Sequence, residues 1–236
     1  MSGRVLSLKF PERRFRLARI WSNDELRRLA PLFDGHVANV SGWDDRDKEG
    51  NRYRSYFTAA SDYSLTNFSG ERGLTGAEGE HYLDLAAELP AELAGRFDVV
   101  FNHTTLEHVF EVRRAFANLC RLARDVVIVV VPFAQQQHET ESFGDYWRFT
   151  PSCLRRLYAE NGFTVVYESE SPHADAASYL CFVGARQPER WRDRLPPLRP
   201  IGVAGSWIGR GRLRTLADAF GFAALVRLVR RAVKRR

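Results

Sequence analysis

Apolar residues change their spacing from block to block along this chain, and each spacing predicts an element. Residues 1–21 read as an irregular or strand-like lead-in. Ser22-Asn-Asp-Glu25 has the form of a capping box, with Leu26, Leu29 and Leu32 following at helical spacing and Pro31 limiting the helix. His36–Val40 reads as a first strand, Asp62–Asn67 as a second and His81–Leu85 as a third. Between them lie a charged loop from Asp44 to Gly50, a short helix from Tyr53 to Ala60 and a Gly-rich loop over 69–80. Pro90–Ala94 reads as a helical turn. Phe97–Asn102 is a buried strand, and Thr104-x-x-Glu107 again has the capping-box form. Val109, Val112, Phe116 and Leu119 then give one helix face. Asp125-Val-Val-Ile-Val-Val-Val-Pro132 is apolar almost throughout, the pattern of a central parallel strand covered on both faces. Thr150 is placed to cap a helix that begins at Pro151, buries Leu154, Leu157 and Tyr158, and ends at Gly162.

Strands alternating with helices imply an α/β fold with a doubly wound, mostly parallel sheet. Phe163–Glu168 and Ser178–Val183 have no helix between them, so they pair antiparallel near the C-terminal edge. The domain reading is a lead-in and helix over 1–34, the α/β domain over 35–186, a Pro-rich linker over 187–205 and a basic amphipathic helix over 206–236.

Composition narrows the class. The 236 residues are 44% apolar and 12% aromatic, ample for a core. Cys120, Cys153 and Cys181 are far apart and odd in number, which predicts a reduced, intracellular protein. The first residues are charged and lack the apolar segment of a secretory signal, and no stretch reaches the length of a spanning helix. The net charge of +6 is uneven: residues 186–236 carry fourteen Arg/Lys against three Asp/Glu, and the rest is net acidic. That asymmetry argues against a nucleic-acid-binding surface. It predicts instead a C-terminal helix that lies on an anionic membrane surface, with docking on the domain or on a partner helix as the alternatives, and a nucleic-acid contact disfavoured because no aromatics follow Phe222. No HExxH motif or Cys partner accompanies His103 and His108, so no metal site is expected.

The candidate chemistry clusters where strands end, since α/β sheets place ligands at the carboxyl ends of their strands. Phe97-Asp-Val-Val100 followed by Leu106-Glu-His108, the apolar Asp125–Pro132 strand and Asp145-Tyr-Trp-Arg-Phe-Thr-Pro151 together resemble the second half of a class I S-adenosylmethionine-dependent methyltransferase. The Asp145–Pro151 run is similar to enzymes of surface-glycan biosynthesis. The resemblance implies a Rossmann-like methyltransferase sheet and S-adenosylmethionine as cofactor. It places Ser41, Gly42, Asn67, Asp84, Asn102 and His103 around that cofactor. The first half departs from the family pattern: Val40-Ser-Gly-Trp-Asp-Asp45 holds one glycine where the family has two or three, and Asn67 stands where an acid binds ribose.

His103 reads either as a general base or as a residue that orders the turn. Glu107 and His108 read as able to face the site, with the capping box as the favoured explanation of Glu107. Tyr146 and Arg148 are assigned to the acceptor. Arg148 either binds an acidic acceptor or pairs with Asp145 or Glu141, and Trp147 and Phe149 read as packing residues. With His103, Arg148 and Tyr146 as the catalytic set, the expected function is methyl transfer to a hydroxyl or carboxyl of a glycan or lipid-linked sugar precursor. The expected location is cytoplasmic, peripheral on the inner membrane face. The alternative is a non-catalytic relative that binds a sugar precursor or a partner enzyme at the membrane.

Overall fold

The computed structural model describes residues 10–69, 73–173, 176–204 and 208. Seven strands form one sheet: β1 (Gly35–Val40), β2 (Ala60–Asn67), β3 (Glu80–Tyr82), β4 (Phe97–His103), β5 (Ala123–Ala134), β6 (Thr164–Glu170) and β7 (Ser178–Ala185). Their order is β3-β2-β1-β4-β5-β7-β6, with β7 antiparallel to both neighbours and the other pairs parallel. The antiparallel pairing follows from the short β6–β7 connection, since a parallel crossover needs a helix-length return. The helices are α1 (Phe10–Leu29), α2 (Val112–Leu122), α3 (Pro151–Glu160) and the single turn α4 (Pro188–Trp191).

Period-two alternation in β4 and β5 builds two cores, one on each face of the sheet. Val127, Val129 and Val131 face Phe116, Leu119, Leu154 and Tyr158 of α2 and α3. Val126, Ile128 and Val130 face the other core, which holds Leu26 and Leu29 of α1 with Tyr53, Phe57 and Trp191. Tyr158 donates from its hydroxyl to the carbonyls of Val127 and Phe182 across β5 and β7. A Cβ at Gly184 would meet its ring at 2.3 Å, so only glycine lets the ring lie there. Thr150 caps α3 as expected, accepting from the Cys153 N–H, and Gly162 just past the helix is at φ +75°.

Four local expectations are corrected. The chain over 10–29 is one helix, not a lead-in followed by a helix that starts at Ser22. Ser22 is buried inside it and bonds back to the Arg19 carbonyl instead of capping. Thr104 does not cap α2. It takes a left-handed backbone (φ 48°), a 3-10 turn covers Leu106–His108, and α2 begins at Val112. The third strand is only Glu80–Tyr82; Leu83 and Leu85 are buried beyond its end. The Pro-rich segment is packed against the domain, with Trp191 buried and its Nε1–H donating to Asp125 at 2.9 Å. The basic C-terminal helix lies outside the described residues.

Candidate functional site

Strand order reverses between β1 and β4, and an open cleft of about 910 Å³ lies at their carboxyl ends. Ser41, Gly42 and Trp43 after β1 form one wall, Asp84–Ala86 beyond β3 another, and His103–Thr105 at the end of β4 a third. Arg19 of α1 and Arg46 and Lys48 of the charged loop also line it. His108, Phe110, His138, Phe143 and Tyr146 enclose the far end.

The turn after β1 is tight without being Gly-rich. Ser41, Trp43 and Asp45 are all left-handed, at φ 56°, 51° and 63°. Non-glycine residues hold such backbones only when their surroundings over-determine them. Here the Ser41 N–H donates to Thr66 Oγ1, the Gly42 N–H to the Thr66 carbonyl and the Trp43 N–H to Asn67 Oδ1. Buried Asp45 accepts from Asn39, Tyr63 and the Arg54 N–H. Gly42 is needed because a Cβ there would meet the Asn39 carboxamide at 2.6 Å.

Asn67 is one of these clamps. It is buried, accepts from the Trp43 N–H, and donates to the Trp43 carbonyl (2.9 Å) and to Glu80 (2.8 Å). Burial alone would raise the Glu80 carboxyl, but bonds from Asn67, Thr75 and Gly76 outweigh it and hold it at about 2. Asn67 therefore fastens the β1 turn and is not on the cleft wall. Asn102 is also behind the wall, fully buried, its Nδ2 donating to the Val40 carbonyl. Asp84 does line the cleft, with Oδ1 accepting from the Ala86 N–H.

His103 reaches the cleft with both ring nitrogens committed. Ser22 spends its hydrogen on the Arg19 carbonyl, so His103 Nε2–H donates to Ser22 Oγ (2.8 Å). Nδ1 then accepts from the Thr104 hydroxyl at 3.1 Å. Burial, with Arg19 and Lys48 nearby, pushes the imidazole down to about 3. So weak a base, with its lone pair occupied, orders the turn and the α1–β4 contact; the general-base reading does not hold. Burial and Arg19 also lower the Lys48 ammonium.

Arg148 is not on the cleft either. Its guanidinium grips Asp145 with two bonds, at 2.5 and 2.6 Å, and those bonds hold the Asp145 carboxyl at about 2. Of the two readings for Arg148, the ion pair is the one formed, and it closes the loop after β5. Tyr146 from that loop does line the cleft, half exposed, its ring edge-on to exposed Phe110 at 5.4 Å. Of the residues singled out from sequence, Ser41, Gly42, Asp84, His103 and Tyr146 thus share one cleft, and Asn67, Asn102 and Arg148 lie behind it. Arg19, Lys48 and Phe110 were missed. His108, read from the sequence as able to face the site, does line the cleft; nothing in the local pattern pointed to Arg19.

No family model matches the chain, and no curated protein matches it. Solved structures do match. Magnesium protoporphyrin IX methyltransferase from Synechocystis, with S-adenosylhomocysteine bound, is 14% identical, with a TM-score of 0.51 over 79% of this chain and 90% of that one. A Rhodobacter sphaeroides protein assigned as a candidate Zn-dependent alcohol dehydrogenase is 17% identical, with a TM-score of 0.52 over 74% and 97%. A chain from the complex of the Haloferax volcanii Trm112 methyltransferase activator with a candidate methyltransferase is 14% identical, with a TM-score of 0.50 over 75% and 92%. The likeness is one of fold. The chain has the Rossmann-like α/β methyltransferase fold, its sheet mostly parallel with antiparallel strands at the C-terminal edge.

Proposed function

We propose that the protein binds S-adenosylmethionine and transfers its methyl group to a small-molecule acceptor. The carrying observation is the cleft at the β1/β4 switch point, where ligands of doubly wound sheets bind. The residues there suit the cofactor at its two ends. Asp84 beside Leu83, Leu85 and Phe68 offers a carboxylate and an apolar wall for the adenine, and Arg19 and Lys48 offer cations for the amino-acid carboxylate. Between them, the Ser41–Trp43 amides and Asn67 are committed within the protein, so the cofactor's ribose receives no side-chain carboxylate from β2. When bound, the cofactor supplies an electrophilic methyl group. The protein's own part is to hold the reactants in line and shield them, which is where most of the acceleration of such a transfer originates.

For the acceptor we favour a glycan or lipid-linked sugar, methylated on a hydroxyl or carboxyl. Exposed Phe110 and Tyr146 on the cleft wall suit the apolar face of a sugar ring, and Arg46 suits an acidic substituent. Among the described residues no helix is long and apolar enough to cross a membrane. The charge of residues 206–236 supports a cytoplasmic protein attached to an anionic inner membrane face. The second reading, a non-catalytic relative binding a sugar precursor or partner enzyme, is favoured by the internally bonded β1 turn. Calorimetry with S-adenosylhomocysteine separates the two: micromolar to sub-millimolar binding is expected of the enzyme. No heat at millimolar ligand, with folded protein, leaves the non-catalytic reading.

A further inference from the structure

Three histidines line the cleft: His103, His108 and His138. An imidazole accepts a proton only through a nitrogen whose lone pair is uncommitted. His103 has none, as its two hydroxyl contacts show. His138 holds Nδ1 3.3 Å from the Gln135 amide and 3.5 Å from Asp145. His108 is different. Its Nδ1 lies 2.6 Å from the Gly144 carbonyl oxygen. A carbonyl only accepts, so Nδ1 carries the hydrogen and the lone pair is on Nε2. Among the described residues Nε2 has no hydrogen-bond partner; Glu107 Oε1 stands 3.8 Å away.

The ring is held as a positioned base must be. Phe143 packs edge-on at 4.6 Å and His138 at 4.9 Å, and the Gly144 carbonyl fixes its rotation. The charged and titratable groups facing it are Glu107 on its own turn, His138 and Asp145 on the loop after β5, and Arg19 on α1. Burial, His138 and Arg19 lower its proton affinity against the Gly144 bond and Asp145, so the neutral form is present at pH 7.

We propose that His108 is the general base of the transfer, taking the proton of an acceptor hydroxyl at Nε2. The inference rests on the methyl-transfer reading and narrows it: the acceptor group is an alcohol, since a carboxylate is already ionised and needs no base. The acceptor oxygen bonds to the methyl carbon. The carbon–sulfur bond breaks with its electron pair going to sulfur, and the hydroxyl proton passes to Nε2. An alcohol and a sulfonium cation become an ether, a neutral thioether and an imidazolium.

Long-range 1H–15N NMR of the full chain reads the tautomer without any acceptor. His108 is expected protonated on Nδ1 and bare on Nε2, and His103 the reverse. His108→Asn keeps a donor for the Gly144 carbonyl and deletes Nε2; His108→Gln serves if the Asn variant fails to fold. The variant should bind S-adenosylhomocysteine within about twofold of the parent. Its transfer from labelled S-adenosylmethionine to a panel of methyl glycosides should fall by about 10²–10⁴-fold and lose the acid limb of the pH profile. Transfer to uronate carboxylates in the same panel should not depend on His108. A bare Nδ1 at His108 overturns the proposal, as does a variant that still methylates hydroxyls. So does transfer confined to the uronates, or transfer to nothing in the panel, by a parent that binds S-adenosylhomocysteine. A parent that shows no such binding refutes the methyl-transfer reading instead.

Discussion

Glu107→Gln should remove a pH dependence of stability that this one carboxyl imposes. The Glu107 side chain is fully buried, and neither carboxyl oxygen has a hydrogen-bond partner among the described residues. Burial pushes its pKa from 4.5 to about 8; Asp145 adds to the rise, and its own N–H, Arg19 and Arg148 oppose it without reversing it. The folded state therefore keeps a proton that the unfolded chain gives up between these values. Stability attached to that proton is fully present below pH 4.5 and is lost as pH rises toward 8. The slope is about 1.4 kcal/mol per pH unit inside the window, so about 3 kcal/mol should be lost between pH 5.5 and 7.5. Gln is nearly the same shape and does not titrate, so the variant should lack that loss. A constant cost from burying the amide N–H groups shifts the whole curve and leaves its slope alone. His103 contributes with the opposite sign, since its pKa is lowered to about 3 in the folded state, and its contribution cancels in the difference. Urea unfolding of both proteins across this range is the assay. Parallel curves would show that Glu107 ionises in the fold at its ordinary pKa, and the account of its burial would be wrong.

Three further outcomes are expected. Asn67→Ala should destabilise by about 2–3 kcal/mol in urea, because the Trp43 amide and carbonyl and Glu80 lose their partner together. Asn67→Asp should cost more, since it sets a second carboxylate against Glu80; an unchanged midpoint for either would remove the clamp. Trp191→Ala should cost about 3–5 kcal/mol and Trp191→Phe less, the latter losing only the bond to Asp125 and some packing. Neutral behaviour of both would return residues 188–195 to the status of a linker. Deleting residues 206–236 should release the protein from anionic vesicles while leaving its thermal transition in place, each surface cation being worth about 1 kcal/mol at low salt. Retained binding would refute the membrane reading.

Much of the fold was legible because its signals are local and repeated. The apolar run of β5 needs cover on both faces wherever it sits. The Thr150–Pro151 start and Gly162 stop of α3 use only neighbouring backbone, and the missing helix between β6 and β7 dictates antiparallel pairing. Sequence also placed the cleft at the ends of β1, β3 and β4, because strand ends are where polar residues interrupt apolar runs.

What tertiary structure decided was the job of each polar side chain. Two capping-box patterns, at Ser22 and Thr104, went unused: Ser22 is buried within a longer helix where its hydroxyl meets His103, and Thr104 is bent left-handed at the strand exit. Asn67 and Arg148 have the chemistry of ligand-binding groups. Trp43 and Glu80 claim the first and Asp145 the second, partners supplied by other turns of the chain. Arg19 entered the cleft only because α1 packs against the sheet, far from it in sequence. Backbone preference depends on near neighbours and can be read in order along the chain. A side chain's hydrogen-bonding capacity is finite, and which competitor takes it is settled only when distant segments come together.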